Sequence, residues 1–203
     1  MNIQTLEVAG VYPALKAMRN PLDSWAKSDT KRYEYDAILL GQADKFLSQR
    51  LTKAGAEHCK HLRMVHVWVD MEVPRYIHSE LDTYKFNTKI SCSTMHTIHK
   101  RLLTRKDFQD EDISEEALDD LNFWIEDYSS KSPTLTKKEI KRKIKKKLPE
   151  GFLQLRTVDF NYSELLNIYY QRYNHQLPEW HTICDWILGL PHFIELTGVD
   201  VNA

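Results

Sequence analysis

Residues 64–71 read Met-Val-His-Val-Trp-Val-Asp-Met, and their alternation decides the class of fold. Val65, Val67, Val69 and Met71 fall on one face of an extended chain; Met64, His66, Trp68 and Asp70 fall on the other. A period of two in a valine-rich run predicts a β-strand, and Pro74 ends it, having no N–H to give a ladder. Helical spacing takes over on both sides. Upstream, Ile38, Leu39, Ala43, Phe46, Leu47 and Leu51 recur three and four apart, predicting a helix from Asp36 to Ala54 with Gly55 as its C-terminal stop. Earlier still, residues 2–8 predict an edge strand, 12–18 a short helix and the polar stretch 21–31 a loop. Downstream, residues 75–83 predict a helix, and the small, polar, aperiodic residues 84–96 predict a loop with functional content. Residues 115–128 carry an acidic amphipathic pattern through Leu118, Leu121, Trp124 and Ile125. Residues 136–147 carry a basic one, opening on a capping box between Thr136 and Glu139. Residues 161–173 and 178–188 predict two final helices, the second starting at Pro178. The mixture is α+β.

A chain of 203 residues suits a single domain and needs neither disulfides nor a structural metal for its core. Hydrophobic residues at 42% exclude a disordered chain, and a net charge of −1 gives no global field for nucleic acid. The six glycines are scattered, so no P-loop or Rossmann loop is available, and a nucleotide site must use side chains and helix ends. Three widely spaced cysteines, Cys59, Cys92 and Cys184, are neither a disulfide framework nor a zinc pattern. With no signal-like start and no membrane-length apolar run, the expectation is a cytoplasmic protein.

Several clusters invite chemistry, each beside a plainer reading. His58 with His61, and His96 with His99, are spaced to share a helix face and ligate a metal. No carboxylate completes a plausible triad, so no metal is expected. The lysines and arginine of 137–147 suit a phosphate or a polyanion, or are a solvated face balanced by the acidic stretch 110–120. Ser91-Cys92-Ser93-Thr94, with Tyr84, Lys85 and His96 nearby, suits a phosphate- or pyrimidine-binding loop, or is an ordinary turn. Phe160, Tyr162, Tyr169, Tyr170 and Tyr173 either stack on a flavin or base or pack a core.

The order and spacing of these pieces resemble the flavin-dependent thymidylate synthases over roughly residues 37–190. That family carries Glu-His before a strand, then Ser-Arg, then Gln, then R-H-R-x-x-S-x-N-x-x-S-x-R followed by Tyr. Here Glu57-His58 precede the strand and Pro74-Arg75 follow it. Glu80 falls on the Gln, Thr83-Tyr84-Lys85 on R-H-R, and Thr88 on the first Ser. Ile90 falls on the Asn, Ser93 on the second Ser, Met95 on the last Arg and His96 on the Tyr. Lys145 with Leu148-Pro149 stands at the family's Arg-x-x-Leu-Pro, and Asn161 with Gln171-Arg172 at its Asn-opened helix ending in Leu-Arg. The wording also resembles a divergent phage and bacterial group often placed with these synthases.

The resemblance implies an antiparallel sheet flanked by helices, one domain over 1–203, and an acidic-then-basic helical insert at 107–147. It implies a homotetramer with FAD and dUMP at subunit interfaces, reduced flavin as hydride source and methylenetetrahydrofolate as methyl source. It places the cofactor on His58, Arg75, Tyr84, Lys85, Asn161 and Arg172, and the pyrimidine deoxynucleotide on Glu80, Thr88, Ser91, Ser93 and Lys145. It names no catalytic side chain. The rewriting of R-H-R to Thr83-Tyr84-Lys85 removes one guanidinium and exchanges another for a point charge without a bidentate fork. Arg to Met95 removes a contact worth about 1.5–3 kcal/mol where buried. Three functions follow as expectations: a divergent flavin enzyme, a non-catalytic nucleotide-binding protein on the same fold, or an interaction module using the acidic and basic helices.

Overall fold

The computed structural model describes residues 1–33 and 37–200. Its elements in chain order are β1 (Asn2–Ala9), α1 (Val11–Ala17), β2 (Lys31–Arg32), β3 (Ile38–Leu39), α2 (Gln42–Lys53), β4 (His66–Pro74), α3 (Arg75–Leu81) and β5 (Thr88–Ser91). There follow α4 (Thr94–Thr97), α5 (Glu115–Ser129), α6 (Lys137–Lys147), β6 (Leu153–Asn161), α7 (Tyr162–Arg172), α8 (Pro178–Leu188) and α9 (Phe193–Thr197). An antiparallel four-stranded sheet in the order β1-β4-β6-β5 sits among the helices, so the protein is α+β. β1 is the edge strand its sequence predicts. β4 is central: Val65, Val67, Val69, Met71 and Val73 are fully buried, while His66, Trp68 and Asp70 are half-buried.

The chain divides into two compact units, each assembled from three separated segments. The first holds residues 1–4, 70–83 and 89–157; the second holds 5–69, 84–88 and 158–203.

In the first unit α5 packs on α6. Leu121 and Ile125 of α5 meet Ile140, Ile144 and Leu148, and Ile98, Leu103, Phe108 and Ile113 complete the cluster. Both capping-box bonds of α6 are present: the Thr136 N–H donates to Glu139 Oε2 at 3.0 Å, and the Glu139 N–H to Thr136 Oγ1 at 3.3 Å. Most of the α6 cations have local work. Lys137 and Lys141 each lie 5.2 Å from the Tyr128 ring centre, Lys143 lies 4.3 Å from that of Trp124, and Lys147 pairs with Asp120 at 2.7 Å. The solvated, internally balanced reading of this helix accounts for these contacts.

In the second unit α2 departs from the sequence expectation. Asp36 lies outside the described residues. Ile38 and Leu39 are not helical but pair with Arg32 and Lys31 as a two-residue ladder. The helix begins only at Gln42, because the Asp29 carboxylate takes the N–H groups of Ala43 and Asp44 at 2.9 and 3.1 Å. The buried residues of α2 are polar, Asp44 and Ser48, while Phe46 is 65% exposed. Asp44 receives Arg19 Nε at 2.6 Å, Ser28 Oγ at 2.7 Å and the Thr30 N–H at 3.1 Å. Burial alone would raise the Asp44 carboxyl, but the bonds from Thr30, Ser28 and Arg19 hold it below the usual carboxylate range. Ser48 Oγ donates to the Leu196 carbonyl at 2.7 Å, so it accepts from His61 Nε2 at 2.7 Å. Gly55 follows the helix at φ +112, as its sequence position predicts.

Of the aromatic row, Phe160, Tyr162 and Tyr169 are buried, whereas Tyr170 and Tyr173 are about half exposed. Tyr162 donates to the Pro191 carbonyl, and α7, α8 and α9 close this unit's core through Trp180, Ile187 and Phe193. α9 and β5 lie where the sequence pattern gave no element.

Candidate functional site

Each unit carries its own set of polar groups. In the first unit the set forms around Lys145, in the last turn of α6. Its stem is partly covered, and its ammonium donates to the Thr94 hydroxyl. Burial lowers the Lys145 pKa, and the positive charge of nearby Arg75 lowers it further. Arg75, the first residue of α3, donates to the Leu148 carbonyl at 3.0 Å and pairs with Glu150 at 2.9 Å. Two cations held near one another, with a hydroxyl between chain segments, suit an anionic group.

The loop after β5 is fixed by backbone bonds. The Cys92 N–H donates to the Leu155 carbonyl at 2.9 Å, and Gln154 Nε2 donates to the Cys92 carbonyl at 2.7 Å. This tether leaves Ser91 and Cys92 exposed and sets Ser93 as the cap of α4. The Ser93 hydroxyl meets His96 Nδ1 at 2.9 Å. Glu80 is half-buried on α3, and its carbonyl takes the Thr83 hydroxyl at 2.7 Å. Arg75, assigned to the cofactor by the resemblance, thus shares its surroundings with Lys145, assigned to the nucleotide. Ser91, Ser93 and Glu80 belong to this same unit.

In the second unit a pocket of ≈ 270 Å³ is lined by His66, Lys85, Phe86, Asn87, Thr88, Asp159, Phe160 and Asn161. Asn161 has a double task. Its Oδ1 caps α7 by accepting the Glu164 N–H at 3.0 Å, and its Nδ2 donates to the Phe86 carbonyl at 3.1 Å. That bond and the one from the Phe86 N–H to Glu164 Oε1 at 2.7 Å hold the 84–88 segment beside the helix start. Phe86 is 83% exposed, and Asn87 Oδ1 is buried without a hydrogen-bond partner. Lys85 and Asn161, expected at the cofactor, therefore meet Thr88, expected at the nucleotide.

The pocket also holds two residues that the sequence reading did not select. Across β4 and β6, His66 Nδ1 meets Asp159 Oδ1 at 2.9 Å. The only signal was the position of His66 on the polar face of the alternating strand; Asp159 carried none.

Tyr84 and Arg172 stand apart from that lining. Arg172 Nε donates to the Tyr84 hydroxyl at 2.9 Å, which donates to Gln171 Oε1 at 3.1 Å. The guanidinium lies 4.5 Å from the Trp180 ring centre and 5.8 Å from that of Tyr84. His58 lies elsewhere again. With Glu57, Phe46, Leu47, Leu51, Leu22 and Met64 it lines a broad, mostly apolar groove of ≈ 850 Å³. The His58–His61 spacing brings no ligand pair together, for His58 is exposed and His61 is buried against Ser48. Among the described residues no group of three metal-binding side chains converges.

The whole-chain comparison shows which known fold this architecture shares. A thymidylate synthase X from Helicobacter pylori with FAD and dUMP superposes with a TM-score of 0.71 over 97% of both chains, at 17% identity. The fold is that of the flavin-dependent thymidylate synthases. A second structure of that enzyme, also complexed with FAD and dUMP, matches equally at 18% identity, TM-score 0.71, and 97% coverage of both chains. A UMP/dUMP methylase from Streptomyces cacaoi bound with 5-Br dUMP matches with TM-score 0.61 and 12% identity, covering 91% of this chain and 87% of its own. No protein-family model matches the sequence, and no curated protein does. The flavin-dependent thymidylate synthase fold is thus shared at low sequence identity. Among the described residues no helix is long and apolar enough to cross a membrane.

Proposed function

We propose that the chain binds a pyrimidine deoxynucleotide and flavin and transfers a one-carbon unit to dUMP or a related nucleotide, with methylenetetrahydrofolate as carbon source. The observation carrying this reading is the match over 97% of both chains to structures holding FAD and dUMP together. The residues present fit such ligands. Lys145, Thr94 and Arg75 suit a nucleotide phosphate. Lys85 suits a flavin phosphate, while Phe86, Asn161 and the unpartnered Asn87 Oδ1 suit its ring. A bound, reduced flavin supplies the hydride. This chain's own residues bind, orient and exclude water. Assembly into a homo-oligomer belongs to the same proposal.

The visible spectrum of the purified protein, before and after FAD addition and gel filtration, tests it. A retained flavin band, followed by methyl transfer to dUMP, is expected; a colourless protein that ignores FAD overturns the enzymatic reading. Light scattering should give a mass above that of one chain.

A second reading, nucleotide binding without catalysis, draws support from Arg172. Its guanidinium is occupied by Tyr84 and Trp180 within its own unit. Thermal stabilisation by a nucleotide without flavin would favour it.

A further inference from the structure

We propose that His66, oriented by Asp159, recognises the imide N–H of a planar heterocycle bound in the pocket of the second unit. The inference deepens the proposed function and rests on it: uracil and the flavin ring both carry an imide, a ring N–H between two carbonyls.

A carboxylate only accepts, so the 2.9 Å contact places a proton on His66 Nδ1. In the neutral imidazole Nε2 is then a lone pair, and among the described residues it has no hydrogen-bond partner. The ring cannot easily turn away. Asp159 holds one nitrogen, and the Trp68 ring backs the imidazole with centroids 5.8 Å apart and planes 24° apart. The pocket offers a second acceptor in Asn87 Oδ1, buried and without a partner. Donors line the same space in Lys85 and Thr88, and Phe86 and Phe160 supply aromatic walls. One acceptor for the ring N–H, donors for the flanking carbonyls and a flat apolar wall are the complement of an imide edge. A purely structural His66–Asp159 pair would need neither the pocket nor the open Nε2. At 43% exposure His66 also adds little to the core, so its removal should spare the fold.

The experiment compares ligands with and without the N–H. Wild type, His66→Ala and Asp159→Asn are titrated with dUMP and with N3-methyl-dUMP by calorimetry. The same three proteins are titrated with FMN and N3-methyl-FMN by fluorescence. Wild type should bind one parent ligand at least about tenfold more tightly than its methylated form, as expected when the acceptor facing the ligand loses its N–H and meets a methyl group instead. His66→Ala should bind both forms alike, Asp159→Asn should discriminate weakly, and the melting temperature of the free proteins should scarcely change. The pair that discriminates tells which heterocycle occupies the pocket. Discrimination that persists in His66→Ala, or is absent from wild type that binds the parent ligand, overturns the assignment while leaving the proposed function standing. Failure of every heterocycle to bind wild type overturns both.

Discussion

Arg19 and Asp44 form a buried ion pair, 4% and 0% exposed, with Nε and Oδ1 2.6 Å apart. The pair joins the turn after α1 to the first turn of α2, where Ser28 and the Thr30 N–H satisfy the second carboxylate oxygen. Removing one partner strands a charge without water. Asp44→Ala should therefore cost about 3–5 kcal/mol in urea denaturation. Replacing both members with apolar residues of similar volume should cost much less. Equal losses in the single and double variants would show the charge pairing to be incidental.

Acid should weaken the fold through two buried histidines. Burial pushes His61 down to about 4. Burial, with Arg156 adding to it against the Gln154 carbonyl and Asp82, pushes His78 down to about 4 as well. Both rings stay neutral in the folded chain where the unfolded chain, near 6.5, already takes up protons. Stability is thus fully present above pH 6.5 and falls as pH drops toward 4, by on the order of 3 kcal/mol per ring. Denaturation midpoints at pH 7.5, 6 and 5 should fall in that order. His61→Asn, which keeps a donor for Ser48, should make the decline shallower; an unchanged slope would refute the assignment.

Gly10 sits at φ +93, and a Cβ there would lie 2.1 Å from the Met64 carbonyl oxygen. That oxygen is backbone at the entry to β4 and cannot swing aside. Gly10→Ala should lower the melting temperature sharply or yield insoluble protein, combining strain of about 1–2 kcal/mol with the clash. Gly189→Ala is the control. Its φ is −76 and its nearest neighbours are at ordinary contact distance, so its stability should change by less than about 1 kcal/mol.

Lys145 should matter to the phosphate and not to the base. Lys145→Ala should weaken dUMP about 10- to 150-fold, the equivalent of one charged hydrogen bond of 1.5–3 kcal/mol, and leave deoxyuridine unchanged. Lys145→Arg should recover part of the loss. A uniform loss for both ligands would mean that the residue shapes the unit instead of meeting the phosphate.

Much of the scaffold could be read from local pattern, because local pattern is what determines it. The alternation of β4, the Thr136–Glu139 box and the Pro178 start each depend on residues within one element. The start of α2 could not be read this way. Ile38 and Leu39 continue the helical spacing, yet Asp29 caps the helix thirteen or more residues downstream of itself, and Arg32 and Lys31 take the two hydrophobic residues into a ladder. Its apolar stripe also misled, since the buried face is chosen by the polar partners Arg19, His61 and Leu196. The candidate site divides in the same way. Lys85, Thr88 and Asn161 follow from motif order, and they do share a pocket. His66 and Asp159 are 93 positions apart and meet only through the β4–β6 register. Arg75 follows from motif order too, but its neighbour is Lys145, a residue brought by a separate helix.

The interleaving of segments sets a schedule for the newborn chain. Ser48 and Gln49 of α2 hydrogen-bond the carbonyls of Leu196 and Glu195, almost 150 residues later. Until those residues are made, Gln49 lacks that acceptor and Ser48 has only His61, and the second unit lacks its last three helices. Residues 1–157 hold every segment of the first unit, so Lys145 and Thr94 have been made before Asp159, Phe160 and Asn161 of the second unit's pocket. No single cut in the gene isolates either unit, and a premature stop near residue 190 would leave the Ser48 and Gln49 side chains without their carbonyl acceptors.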